Sequence, residues 1–412
     1  MTRSALLTDD LCARTATLID RPVDPDGVRE ASARVVWSCL VEPGDGIAGR
    51  LLAEVGAVRA LEAVEAEQTA VAALAGVSAR EWSKALARWR PRMASTLVRS
   101  ALDTAAAAGI SLLLPADARW PARLDDLGDH APVCLWVRGD PAAMTRGEVS
   151  LAIVGARAAT GYGEHIAMEM AAELAARGVT IVSGAAYGID GAAHRAALAA
   201  GGTTVGVLAG GADRAYPTGN TELIRRIASS GGAIVSEAPC GSAPTRWRFL
   251  ERNRLIAALS DATVVVEAGW RSGSLSTANH ASALGRPLGA VPGPVTSAAS
   301  AGCHRLMRDR GAQCITSAGD ALELAGAAFA APPVETGSRT DDRTRVLDAL
   351  SFRTRRSVAD IAQRSGMSAA DVRSLLGLLA LEGDVTDAAD GWRRRAPDGE
   401  DRRDLGAPVR SA

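Results

Sequence analysis

The chain has 412 residues, 47% of them hydrophobic and 23% charged, enough apolar content for a sizeable core divided among two or three domains. A formal net charge of -1 creates no molecule-wide field toward nucleic acid or membrane, so any such site has to be a local patch. Of 46 basic residues only Lys84 is a lysine, placed in a helical N-terminal segment, which excludes a Walker A loop, a Schiff-base lysine and a kinase-type phosphate lysine.

Asp9 and Asp10 stand where a signal peptide needs its apolar core, and no uncharged apolar stretch is long enough to span a bilayer, so a cytoplasmic protein without membrane contact is expected. The cysteines, at 12, 39, 134, 240, 303 and 314, form no CxxC pair, which fits free thiols rather than a zinc ribbon or a disulfide framework. From about residue 31 to 108 the pattern is helical, with Leu51, Leu52, Val55 and Val58 at three-to-four spacing and Gly44, Gly46, Gly49 and Gly56 expected at turns. Residues 1–110 therefore read as an N-terminal helical domain. "RWPARLDDLGDHAPVCLWVRGD" follows as a connector with a short strand from Val133 to Val137.

From Val149 short apolar runs alternate with glycine turns and helical segments: "VSLAIVGAR", "GVTIVSGAA", "GTTVGVLAGGA", "GGAIVSEAP", "DATVVVEAG" and "RPLGAVPGP". Such runs with crossover helices predict an α/β domain over 111–325 whose mainly parallel sheet is covered on both faces. Ile166, Met170 and Leu174 put one face of the first helix toward that sheet. Residues 326–342 combine small, proline and charged residues as a linker does. Beyond it, Val346, Leu347, Leu350, Val358, Ile361, Val372, Leu375, Leu376 and Leu379 mark three helices, and "DVTDAADGWRRR" a two-strand wing, so 343–396 reads as a winged-helix domain and 397–412 as a disordered tail. Its last helix opens with Ser368 as cap and Asp371 placed to close a capping box.

In open sheets of this kind ligands sit at the carboxyl ends of the strands. "IVGARAATGYG" puts Gly155 at the first turn and Gly161 and Gly163 at a helix start, where unpaired amides would face an anion. Arg157 replaces the second glycine of a dinucleotide fingerprint and supplies a cation, for phosphate or for a neighbouring carboxylate. Ser183 and Gly184 form the second turn, with Asp190 expected to cap the next helix. Gly210 and Gly211 form a third turn, completing an anion-binding rim. "GWRSGSLSTANHA" supplies Ser272, Ser274, Ser276 and Thr277 for phosphate oxygens or for capping. His194 and His280 lack metal-ligand spacing, and neither HExxH nor GxSxG occurs.

"RWRFLERNRLIAALSD" sets Arg246, Arg248, Arg252 and Arg254 around Phe249 between the fourth and fifth of these runs. Single-stranded nucleic acid asks for a basic track and an aromatic face, and Arg246 with Phe249 offers both. Phe249 in the core with the arginines in a solvated turn remains the alternative.

"IVGAR", "IVSGAAYGIDGAAH", "VLAGGADRAYPTGN", "IVSEAPCG", "RFLERNRLIAALSD", "VVVEAGWRSGSLSTA" and "AVPG", in that order, resemble the DNA-processing protein A (DprA/Smf) family over about residues 112 to 320. The resemblance implies an extended Rossmann-like domain flanked by an N-terminal helical domain of SAM or helix-hairpin-helix type and a C-terminal winged-helix domain. It implies a homodimer that binds single-stranded DNA during natural transformation, protects it and loads the RecA recombinase while displacing single-strand-binding protein, without catalysis or cofactor. Carried over by motif, the pocket uses Gly155, Arg157, Ser183, Gly184, Arg246 and Phe249, with Arg252, Asn253 and Arg254 as the "RNR" signature. Ala156 stands where the family usually has a small hydroxyl, Tyr187 where it has an arginine and Leu250 where it has proline; Tyr187 is a candidate base-stacking residue in place of a phosphate contact.

Two other classes compete. A nucleotide-binding or nucleotide-hydrolysing enzyme of the same Rossmann-like superfamily is similar in its glycine turns, but a glycine-rich signature followed by a catalytic glutamate is not evident. A duplex-binding factor would act through Trp392, Arg393, Arg394 and Arg395, yet Asp360 and Asp371 lie on the helices that would read a groove and the charges of the segment balance.

Overall fold

The computed structural model describes residues 4–327, 342–388 and 390–395. The chain divides into two compact units, Met1–Phe329 and Ala330–Ala412. Most of the expected linker and all of the expected tail lie outside the described residues. Among those described, no helix is long and apolar enough to cross a membrane, and the six cysteines are free thiols.

The first unit opens with α1 (Asp9–Ala16), α2 (Pro25–Leu40), α3 (Gly46–Val55), α4 (Ala57–Glu65), α5 (Thr69–Leu74), α6 (Ala79–Trp89) and α7 (Ser95–Ala107). Local chemistry sets their starts. Asp24 caps α2 through Gly27 N with Pro25 in its first turn, and Ser78 and Glu81 form a capping box on α6. Asp45 caps α3 through the amides of Ile47 and Ala48 and also accepts from Trp89 Nε1 at 3.0 Å, tying three segments together. Gly46 and Gly49 lie inside α3 rather than in turns, whereas Gly44 and Gly56 are turn residues with positive φ. Edge-to-face contacts of Trp89 with Trp37 at 5.2 Å and Trp82 at 6.0 Å fill the centre.

Nine strands follow: β1 (Ile110–Leu113), β2 (Leu135–Gly139), β3 (Ser150–Gly155), β4 (Thr180–Ser183), β5 (Thr204–Val207), β6 (Ala233–Ser236), β7 (Ala262–Glu267), β8 (Leu288–Ala290) and β9 (Gln313–Cys314). They form one sheet in the order β1-β2-β6-β5-β4-β3-β7-β8-β9, parallel from β6 to β9. Six of them are the apolar runs of the sequence, uniformly apolar because helices cover both faces. β1 and β2 add an antiparallel edge in place of the expected connector, with Val137 opposite Val235. Helices α8 (Gly161–Ala176), α9 (Ile189–Ala199), α10 (Thr221–Ser229), α11 (Arg246–Ala258), α12 (Ser274–Ala283), α13 (Ala301–Arg310) and α14 (Ala318–Leu324) complete the unit. Met170 and Leu174 of α8 are buried against Ile153 and Val264 as the spacing predicts. A second cluster runs from Trp37, Leu51 and Trp89 to Leu112, Trp136 and Ile234, so the N-terminal helices share a core with the sheet.

The sheet order turns at β3: β4, β5 and β6 lie on one side of it, β7, β8 and β9 on the other. Such a reversal splays the loops that follow the two central strands and opens a crevice at their carboxyl ends.

The second unit has α15 (Asp342–Ala349), α16 (Val358–Ser365), α17 (Ala369–Glu382) and a hairpin of β10 (Val385–Ala388) with β11 (Gly391–Arg394), the winged-helix pattern. Val346, Ile361, Val372, Leu376 and Leu379 form its core. Ser368 caps α17 through Asp371 N, but the Asp371 carboxylate accepts from the Ser368 hydroxyl at 2.6 Å and does not close the box onto the backbone.

Candidate nucleic-acid interface

A cleft of about 870 Å³ occupies that crevice. Its walls are the turn after β3 (Gly155, Arg157), the loop after β7 with the start of α12 (Arg271, Ser272, Ser274) and one face of α11. Four arginines line it, Arg157, Arg246, Arg252 and Arg271, against a single carboxylate, Asp190, among the described residues. The cleft therefore carries an excess of positive charge, and its position follows from the strand order.

Helical phase sorts the arginines of α11. Arg246, Phe249, Leu250 and Asn253 follow i, i+3, i+4, i+7 and face the cleft. Phe249 is half-buried, with the guanidinium of Arg157 4.6 Å from its ring centroid, that of Arg252 at 5.8 Å and the Tyr216 ring at 5.5 Å. Trp247, Arg248, Glu251 and Arg254 look the other way, toward the N-terminal helices. Arg248 makes a bidentate pair with Glu42 at 2.8 and 3.0 Å. Arg254, 3% exposed, pairs with Glu237, 8% exposed, at 2.7 and 2.8 Å, and Glu237 also accepts from Gly44 N. Arg252 points beneath the helix, donating to Gly184 O at 2.8 Å and to Val207 O. Burial pushes its guanidinium down to about 10, the nearby Asp190 opposing the shift. Of the arginines expected over the rim, Arg246 and Arg157 reach open cleft, while Arg248, Arg252 and Arg254 are committed to the fold.

Several other candidates also hold structure rather than a ligand. Ser183 is buried and donates to Ile153 O at 2.6 Å, locking β4 to β3. Gly184 passes so close to Arg252 that a Cβ would lie 2.3 Å from its Nη1. Gly210 O accepts from Ser236 and Gly211 N donates to Ser242 O, so this turn anchors the loop before α11 instead of offering donors to solvent. Tyr187 lies outside the cleft lining, its hydroxyl accepting from Gly219 N at 3.1 Å. Asp190 does not cap its own helix; its carboxylate accepts from Gly184 N at 3.1 Å. Burial raises the Asp190 carboxyl, with Arg252 and the amides of Gly184, Ala186 and Gly155 pulling it down.

The starts of α8 and α12 differ. The N-terminus of α8, expected to face an anion, is taken by the chain itself: buried Glu267 accepts from Thr160 N and Thr160 Oγ1, both at 2.8 Å, and Thr160 caps Gly163 N. At α12 the cap residue is Gly273, Ser272 Oγ accepts from Ser274 N at 3.4 Å, the amides of Leu275 and Ser276 donate to Ser272 O and Gly273 O, and Ser272 Oγ and Ser274 Oγ sit 2.8 Å apart at the helix mouth. Asn253 donates to Gly273 O at 3.3 Å and holds this loop against α11. The start of α12, not that of α8, lines the cleft.

A family model described as DNA recombination-mediator protein A matches residues 111–326, and one described as the DprA winged helix domain matches residues 327–391. The chain belongs to the DNA recombination-mediator protein A family. It is 46% identical over 303 residues to a Mycobacterium tuberculosis protein described as a DNA processing protein DprA, spanning 69% of this chain and 77% of that one. It is 37% identical over 215 residues to the Bacillus subtilis DNA processing protein DprA, spanning 52% of this chain and 71% of that one. The X-ray structure of DNA processing protein A from Streptococcus pneumoniae superposes with a TM-score of 0.56 at 29% identity, covering 73% of this chain and 98% of that one. The chain is accordingly a DNA-processing protein with the extended Rossmann-like and winged-helix domains of this family.

Sequence reading missed Arg271 and Tyr216 as members of the cleft of this DprA-family chain. Arg271 carried a usable signal, since it stands directly before the serines of α12 that were singled out. Tyr216 reaches the site through its ring contact with Phe249, a pairing across 33 positions that no local pattern announces.

Proposed function

We propose that this chain binds single-stranded DNA in the cleft over β3 and β7. As a homodimer it shields an incoming strand during DNA uptake and delivers it to a RecA recombinase in place of single-strand-binding protein. The observation that carries the DNA reading is Phe249 held beneath Arg157 at 4.6 Å, with Arg246 and Arg271 along the same wall. An arginine and an aromatic ring at one spot supply both things a strand presents, a phosphate and a base face, without reading sequence. The start of α12, with Ser272 and Ser274 in the cleft wall, adds hydroxyls and the positive end of a helix dipole for a phosphate oxygen. Family membership supports the role in DNA processing, and the partners follow from that role.

The test is titration of the full chain with a labelled single-stranded oligonucleotide and its duplex across a salt series, beside Arg246→Ala and Phe249→Ala. Preference for the single strand is expected. Phe249→Ala should cost about 1–3 kcal/mol. Arg246→Ala should flatten the slope of log K against log salt by about 0.7, the single-strand value for one phosphate contact. Equal affinity for both forms, untouched by either substitution, would remove the reading. RecA filament growth on strands precoated with single-strand-binding protein, with and without the chain, tests the delivery step.

A further inference from the structure

Each of β3 to β7 is followed by a loop or helix start that exposes a large aromatic side chain: Tyr162, Tyr187, Tyr216, Trp247 and Trp270. Exposed rings at one edge of a sheet are not equivalent, and their surroundings separate them. Tyr162 donates its hydroxyl to Pro292 O at 2.7 Å, and Tyr187 accepts from Gly219 N at 3.1 Å, so both serve internal bonds. Trp247 lines a separate recess whose arginines, Arg50, Arg88 and Arg92, are paired with Glu81, Asp45 and Glu42, which leaves them committed to carboxylates. Tyr216 belongs to the cleft already described.

Trp270 differs from the rest. Its indole is 56% exposed, and the Arg305 guanidinium of α13 lies 5.0 Å from the ring centroid. Arg305 is not locked elsewhere: its carboxylate neighbour Asp309 stands 3.8 Å away and is already held by Arg308 at 2.7 and 3.2 Å. The chain neighbours of Trp270, Gly269 and Arg271, line the cleft, so the backbone that carries the indole borders it on the β7 side. Phe249 and Tyr216 stand on the other side, Tyr216 in the connection after β5. β5 and β7 are three positions apart in the sheet, ~14 Å at the usual strand spacing. Arg157, Arg271 and the start of α12 line the same cleft.

We propose that Trp270 and Arg305 form a second stacking station for single-stranded DNA, receiving a base of the strand as it leaves the cleft past Arg271 and α12. The proposal rests on the reading that the cleft holds a single strand. An arginine against an indole is the same pairing that Arg157 makes with Phe249, so the track repeats one device at both ends: a ring for a base and a guanidinium for the flanking phosphate.

Length dependence separates station from cleft. The full chain is titrated with two oligothymidylates, one of about four nucleotides and one of about twenty, bracketing the range of roughly 4 to 16 common for single-strand sites. Trp270→Ala should weaken the long strand about 5- to 150-fold and leave the short one unchanged, as one lost base stack requires. Trp270→Phe should retain most of the affinity, and Arg305→Ala should lose part of it for the long strand alone. Arg246→Ala should weaken both lengths. Wild-type affinity for the long strand in Trp270→Ala overturns the station and leaves the cleft standing. Equal losses at both lengths place Trp270 within the cleft and also overturn it. Absence of wild-type binding at either length overturns the cleft and the station together.

Discussion

Replacing Arg254 by alanine separates a structural arginine from a DNA-binding one within the same motif. Arg254 is 3% exposed and Glu237 8%, and Arg254 Nη2 donates to both Glu237 carboxylate oxygens at 2.7 and 2.8 Å. Truncation leaves the Glu237 carboxylate buried with the Gly44 amide at 3.3 Å as its remaining hydrogen-bond partner. Breaking one side of such a buried pair costs about 3–5 kcal/mol, far more than loss of a surface ion pair. At roughly 2 °C per kcal/mol for a large unit, the midpoint of thermal unfolding should fall by about 6–10 °C. The double variant Arg254→Met with Glu237→Gln should recover most of the loss, because both charges then leave the interior. Thermal unfolding followed by circular dichroism is read first, then single-strand affinity well below the transition. A variant that melts with the wild type but binds DNA more weakly and with a flatter salt slope would refute the assignment and make Arg254 a phosphate contact.

Glu42 links the N-terminal helices to α11. Burial pushes its carboxyl up, but hydrogen bonds from Arg248 and Arg92 outweigh that and hold it below its usual 4.5. A lowered carboxyl stabilises the fold above its unfolded value and loses that contribution as pH falls through the folded one, so the docking should weaken below about pH 4.5. Glu42→Gln should remove that part of the acid dependence, measured as midpoint of unfolding against pH. Gly188 sits at φ 72° and ψ -129°, where a Cβ would lie 2.2 Å from Ala156 O and 2.7 Å from Arg157 O. Gly188→Ala should cost at least about 1–3 kcal/mol of backbone strain. By displacing the turn that carries Arg157 it should also weaken single-strand binding, and wild-type affinity with lowered stability would show that the turn is not displaced.

The six central strands and the winged helix were legible because burial on both faces writes continuous apolar runs, and burial on one face writes a helical stripe. The cleft was legible in position, since strand ends with glycine turns mark it. Its occupants were legible only in part. Taken as a cluster, Arg246, Arg248, Arg252 and Arg254 read as one basic patch; taken at 100° per residue, they divide. Arg246 shares a face with Phe249 and Asn253, whereas Arg252 falls beside Leu255 and Leu259, on the side that packs into the sheet. The phase was present in the sequence and required only that the stretch be recognised as helix from its first arginine, which its mean polarity disguised.

The fate of α8 was beyond any local reading. Its glycine-rich start matches the pattern that exposes amides to an anion, yet Glu267, 107 positions later, fills it. Two strands adjacent in the sheet, β3 and β7, bring that carboxylate to the helix start, so topology rather than motif decides which terminus stays open. The start of α12, which follows β7, lines the cleft with no carboxylate on its first turn. One strand therefore closes the start of α8 and carries the start of α12. Glu267→Gln should keep its contact with Thr160 N while withdrawing the charge from α8. If the account of the two termini holds, single-strand affinity should respond to Arg271→Ala and remain within about twofold for Glu267→Gln, since the helix-end charge term is worth about 0.3–1 kcal/mol and acts at the terminus the DNA does not use.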